Sequence, residues 1–131
     1  SASEAKTPRT INLIVEAPFS TARLSIDARG RLRYREEISP RMKQAARRED
    51  ALIPAAEVAE LFALASSPEF LGLKGEYSNL NIADATRYTI EFRGKTLKRV
   101  SVKGGAQPEP FRLLLERLRK LFGKPITEIG V

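Results

Sequence analysis

Tyr88, Ile90 and Phe92 alternate with Thr89, Glu91 and Arg93, the period-two pattern of a strand with one buried face. Arg93-Gly94-Lys95 supplies a turn, and a second polar-backed strand follows over 96–103. There Leu97 is out of phase with Val100 and Val102, which predicts a bulge near Lys98-Arg99. Pro108 and Pro110 then open a helix over 110–122 that carries Phe111, Leu114, Leu115, Leu118 and Phe122 on one side. Glu109 sits at its positive end and Arg117, Arg119 and Lys120 at its negative end, as the helix dipole prefers.

The same alternation recurs nearer the start of the chain. Ile11, Leu13 and Val15 mark a strand over 10–16, Leu24 and Ile26 one over 21–27, and Leu32 and Tyr34 one over 31–37. Ala17-Pro18-Phe19-Ser20 interrupts the first pair and Asp27-Ala28-Arg29-Gly30 turns the second, so a locally paired meander is expected. Val58, Leu61, Phe62 and Ala65 stand at i, i+3, i+4 and i+7 and predict a helix over 52–66, with Pro54 in its first turn. Residues 39–50 read as an exposed basic loop with a partial helical turn, and 72–86 as an irregular connection. Residues 126–131 are a candidate edge strand. Together these elements predict an α+β fold, an antiparallel sheet of four to five strands with two helices packed on one face. Residues 1–9 read as a disordered N-terminal segment and 10–131 as a single domain.

Composition narrows the chemistry. The 131 residues include no cysteine and no histidine. Disulfides, thiol catalysis, sulfur-ligated metals, the Ser-His-acid arrangement and imidazole-ligated zinc or copper are thereby excluded. No apolar run approaches the ~20 residues of a membrane-spanning helix. A net charge of +7, from 23 basic and 16 acidic residues, favours an acidic partner surface or nucleic acid, or serves solubility alone.

Two kinds of candidate surface follow. Arg31, Arg33 and Arg35, with Arg29 just before them, form a ladder with rungs roughly 6–7 Å apart. Arg93, Lys95, Lys98, Arg99 and Lys103 form a second basic stretch, which would extend the first if the two strands were neighbours. The other surface is built from loops. Phe19 and Ser20 stand at a strand interruption, and Tyr77 and Leu80 lie in an otherwise polar connection, where aromatic and aliphatic side chains can anchor a protein partner. Asp84 and Tyr88 are assigned structural roles, the carboxylate capping backbone donors at the loop end and the ring facing inward. The carboxylate pairs Glu36-Glu37, Glu49-Asp50 and Glu57/Glu60 do not assemble into a catalytic arrangement, Glu57 and Glu60 reading as the solvent side of their helix, so no catalytic group, metal or cofactor is expected.

Three stretches carry a family resemblance: Leu52-Ile-Pro-Ala-Ala-Glu-Val-Ala-Glu-Leu-Phe62 with Ser67-Pro-Glu-Phe70, Asp84-Ala-Thr-Arg-Tyr88-Thr-Ile-Glu-Phe92, and Lys95-Thr-Leu-Lys-Arg-Val-Ser-Val102 followed by Gln107-Pro-Glu-Pro-Phe111. Over about two-thirds of its length the chain resembles the emfourin family, small inhibitors of thermolysin-like metallopeptidases. Its Gly30-Arg-Leu-Arg-Tyr34 hairpin is also similar to an uncharacterised family of small secreted or lipoprotein domains. Where emfourins tend to show a Gly-Gly-Phe turn this chain has Ala17-Pro18-Phe19, so only Phe19 carries across, and the basic segment 40–50 is foreign to the family. The resemblance implies an extracytoplasmic, non-enzymatic protein-binding module whose partner is acidic or a metallopeptidase. The alternative from the residues alone is nucleic-acid binding through the arginine ladder.

Overall fold

The computed structural model describes residues 9–78, 86–104 and 107–121. The expectations for Leu80 and Asp84, for Phe122, for residues 1–8 and for the tail at 126–131 fall outside them. Strands β1 (Thr10–Ala17), β2 (Ser20–Asp27) and β3 (Arg31–Ile38) form the expected meander. A 3-10 turn at Pro40–Met42 leads to β4 (Arg48–Leu52), then come α1 (Ala55–Ala65), α2 (Pro68–Leu71), β5 (Glu76–Ser78), β6 (Arg87–Arg93), β7 (Leu97–Lys103) and α3 (Glu109–Lys120). The strand order is β4-β3-β2-β1-β6-β7-β5, and β5 runs parallel to β7 while every other neighbouring pair is antiparallel.

The expectation of a four-to-five-stranded antiparallel sheet with two helices is therefore wrong in three respects. The sheet has seven strands, it is mixed, and a short third helix joins the other two. One added strand, β4, lies in the segment read as a basic loop and also takes the first residue assigned to the helix. All five of its residues are exposed, so no burial pattern betrays it, and backbone bonds hold it to β3. Ile53 N–H donates to Gly30 O at 2.8 Å and Glu36 N–H to Arg47 O at 3.1 Å at its two ends. The other, β5, is three residues long and lies along the outer edge of β7, with Ser101 N–H donating to Gly75 O at 3.0 Å. Short helix α2 follows from Ser67, whose side chain accepts from Phe70 N–H at 3.2 Å, and from Phe70, which is fully buried. The predicted bulge is absent as well. Pairing runs unbroken from Arg87↔Lys103 to Arg93↔Leu97, and Leu97 simply faces the open side, 52% exposed.

Register places Ile11, Leu13 and Val15 of β1 beside Phe92, Ile90 and Tyr88 of β6 and beside Ile26, Leu24 and Ala22 of β2. All of these except the half-buried Tyr88 are buried, so one face of the sheet is apolar and the helices cover it. From α1 come Val58, Leu61, Phe62 and Ala65, and from α3 come Phe111, Leu114, Leu115 and Leu118. Each large side chain buried there contributes about 1.5–3 kcal/mol. Phe62 meets Phe92 edge to face at 6.0 Å, with the Arg9 guanidinium 5.2 Å from the Phe62 ring. Glu60 of α1 pairs with Arg117 of α3 across the helix layer.

Among the described residues no helix covers the opposite face. At its centre Thr89 is buried and its hydroxyl bonds that of Ser101 at 2.8 Å across β6 and β7.

Candidate functional site: an apolar end and a basic face

At one end of the sheet two apolar side chains stand out on adjoining turns. Pro18 and Phe19 join Ala17 of β1 to its partner Ser20 of β2, and Phe19 is 52% exposed. The turn is tied from the side: Ser39 N–H donates to Phe19 O at 2.8 Å. Ser39 also starts the 3-10 turn, its hydroxyl accepting from Arg41 N–H at 3.3 Å and its carbonyl from Met42 N–H at 3.0 Å. Met42, 42% exposed, thus sits on a turn anchored to the Phe19 hairpin. Lys43 ends that turn in the left-handed region at φ 53°, its N–H on Pro40 O. Ser20, half-buried, faces Ala17 and Ile38 across its two neighbours. Pro18 cannot donate and fixes its own φ, so the tip is stiffer than a glycine turn.

Behind these turns lies a buried polar cluster that sequence reasoning did not anticipate. Glu36 has a side chain only 2% exposed on the helix side of β3. Its carboxylate accepts from the Tyr34 hydroxyl at 2.6 Å, from Arg47 N–H at 2.8 Å and from Arg47 Nε at 3.3 Å. The Arg47 guanidinium also lies 5.7 Å from the Tyr34 ring. Burial, and then the hydrogen bond and charge of Glu36, push the Tyr34 hydroxyl well above its ordinary value, with Arg47 opposing them. The cluster fastens Arg47 and hence the end of the 39–47 connection to the sheet. The signal was present in the alternation, because Glu36 shares the parity of Leu32 and Tyr34.

Tyr77, named with Phe19, is on β5 at the opposite edge of the sheet, although at the same end. It is half-buried against the core, and its hydroxyl accepts from Lys74 N–H at 2.9 Å, so it ties a loop. Three strand spacings separate β1 from β5, about 14 Å. Tyr88 lies on the helix face with the Arg119 guanidinium 5.1 Å from its ring.

On the uncovered face Arg31, Arg33 and Arg35 form the expected ladder, with Arg29 in the turn before them. Register adds Arg23 of β2 and Arg48 of β4, both opposite Arg35. Arg35 is consumed locally: it donates to Tyr34 O at 2.8 Å and forks onto Asp50 at 2.8 and 3.4 Å, holding that carboxyl below the usual range. Among the described residues Arg23, Arg31, Arg33 and Arg48 make no ion pair. An open groove of about 910 Å³ beside them is lined by Thr10, Ser25, Asp27, Arg31, Arg33 and Asp50 among others.

The second basic stretch does not extend this patch. Four strand spacings, about 19 Å, separate β3 from β7. Lys98 points to the helix side, where its Nζ donates to Leu73 O, while Arg99 faces the open side and pairs with Glu91 at 3.7 Å.

Among the described residues no cluster of acidic side chains is arranged to hold a metal ion. Nor is any helix there long and apolar enough to cross a membrane. No model of a known protein family matches the chain, and no curated protein matches it either.

Proposed function

We propose that the chain is a non-enzymatic protein-binding module that docks through the end of the sheet carrying Phe19 and Met42. The observation that supports this reading is Phe19 itself, an aromatic side chain half exposed on a hairpin tip whose backbone is pinned by Ser39. A rigid tip loses little conformational freedom on binding, so its apolar contact converts into affinity rather than into ordering. The resemblance to emfourins makes a thermolysin-like metallopeptidase the partner to test first. In that role the tip occupies a cleft of the enzyme.

The experiment mixes the purified chain with thermolysin-like peptidases and follows peptide cleavage together with co-elution on a sizing column. Inhibition with a co-eluting complex is expected, weakened at least tenfold by Phe19→Ala, the effect of losing about 1.4 kcal/mol. Unchanged cleavage with no complex removes the peptidase as partner. Full-strength binding by Phe19→Ala removes this end as the docking surface.

A second reading, nucleic-acid binding, is favoured by Arg23, Arg31, Arg33 and Arg48 on the open face, which make no ion pair among the described residues. Mobility shifts at rising salt separate the two readings, since a phosphate-driven contact weakens steeply with ionic strength.

A further inference from the structure

Among the described residues, the outer edge of β4 is a row of backbone hydrogen-bonding groups with no neighbouring strand. The bonds at its two ends fix which residues face which way. Arg47 pairs by hydrogen bond with Glu36, and Ile53 with Gly30. Alternation then aims Glu49 and Ala51 at β3 and turns the N–H and C=O of Arg48, Asp50 and Leu52 outward. Among the described residues no strand pairs with this edge. Such an edge is a template for another strand unless something covers or blocks it. Here there is no proline and no bulge, and Leu52, 78% exposed, is the most exposed large apolar side chain among the described residues.

We infer that β4 accepts an extended segment of a partner protein, with an acid set against Arg48 and a base against Glu49, as an eighth, antiparallel strand. Charge selects the occupant. Arg48 stands at the edge on the open face with Arg35 of β3 directly behind it and Arg33 one rung along, and the single acid of β4 on that face, Asp50, is already engaged by Arg35. On the other face Glu49 is exposed and repels an acid there. A second copy of β4 would set Glu49 against Glu49 in the register that pairs Arg48 with Asp50, which disfavours self-pairing. The incoming strand therefore needs an apolar residue opposite Leu52, a neutral residue opposite Asp50, a basic residue opposite Glu49 and an acid opposite Arg48. Read in its own direction, that is apolar, any, neutral, basic, acidic. Main-chain bonds supply the affinity and the alternating side chains supply the choice. This surface is distinct from the Phe19 end.

A fluorescent peptide containing Val-Thr-Thr-Lys-Glu, titrated against the full chain and read by anisotropy, tests the inference. Saturable binding below about 1 mM is expected. N-methylation of the peptide at its Val, middle Thr and Glu positions, which removes the donors facing β4, should abolish it. Arg48→Glu should weaken binding at least tenfold, and replacing the peptide's Glu by Lys should restore it on that variant. Phe19→Ala should leave it unchanged, so failure here and failure of the peptidase test are separable. Equal binding by the N-methylated peptide overturns the inference, as does absence of binding to a chain shown by circular dichroism to be folded. Concentration-dependent dimerisation that is lost on Arg48→Glu also overturns it, in favour of a second copy as occupant.

Discussion

Replacing Tyr34 by phenylalanine isolates one hydroxyl in the buried cluster behind the Phe19 end. The ring, 1% exposed, keeps its packing and its contact with the Arg47 guanidinium. What disappears is the 2.6 Å bond to the Glu36 carboxylate, which keeps the two donors from Arg47, together with the hydroxyl's own hydrogen bond with Arg47. A hydrogen bond to a charged group is worth about 1.5–3 kcal/mol, so Tyr34→Phe should destabilise the chain by that much at about pH 8. The difference should then shrink in alkali. The folded-state hydroxyl titrates well above the value of about 10 that it has in an unfolded chain. Its contribution is therefore complete below about pH 10 and is lost as pH rises toward the folded value. An ionising Tyr34 stabilises the unfolded wild type by about 1.4 kcal/mol at about pH 11, whereas phenylalanine gives no such term. Urea unfolding of both chains, followed by circular dichroism across this range, measures the gap directly, and titrations of other groups cancel in the difference. A gap that stays constant to about pH 11 would refute the buried, Glu36-bonded hydroxyl, and so would a Tyr34→Phe chain as stable as wild type at about pH 8.

Two further substitutions probe the frame that carries these surfaces. Gly30 has φ +87°, and a Cβ there would stand 2.6 Å from the Ile53 carbonyl oxygen, so Gly30→Ala should cost about 1–3 kcal/mol or more and lower Tm by roughly 5 °C or more. An unchanged melting curve would contradict the close approach of that turn to the β4–α1 junction. On the open face Ser101→Ala leaves the buried Thr89 hydroxyl without its partner and should cost about 1–3 kcal/mol, while adding Thr89→Val should recover most of the loss. If the double variant is instead as unstable as the sum of the two single changes, the hydroxyl pair is not the link between β6 and β7 that its geometry describes.

Elements with one buried face were legible in the sequence, because burial imposes a period. Ile11, Leu13 and Val15, or Tyr88, Ile90 and Phe92, could alternate only in a strand, and Phe111, Leu114, Leu115 and Leu118 only in a helix. β4 was illegible for the opposite reason. Arg48-Glu-Asp-Ala-Leu52 buries nothing, and it is a strand because β3 offers a free edge, which is a tertiary cause. The same limit applies to the surfaces. The rungs of the arginine ladder followed from spacing within β3. Its distance from Arg99 depends on strand order, which no local pattern records, whereas Lys98 turns to the other side with the parity of Val100 and Val102, a signal that the expected bulge obscured. Phe19 stood out as an aromatic residue in a turn. Met42 did not, because its place beside Phe19 comes from the Ser39 bond.

The seam between β1 and β6 joins the N-terminal meander to the C-terminal hairpin along the middle of the sheet. The meander's apolar side, with Ile11, Leu13, Leu24 and Ile26, is roofed by side chains encoded only from Val58 onward, the last of them Leu118. As the chain is synthesised, its first three strands can pair while their greasy side waits for a roof that comes first from α1 and is completed only when α3 emerges from the ribosome. The nascent protein thus has a window, from the completion of β3 to the arrival of Leu118, in which bare apolar surface exposes it to aggregation.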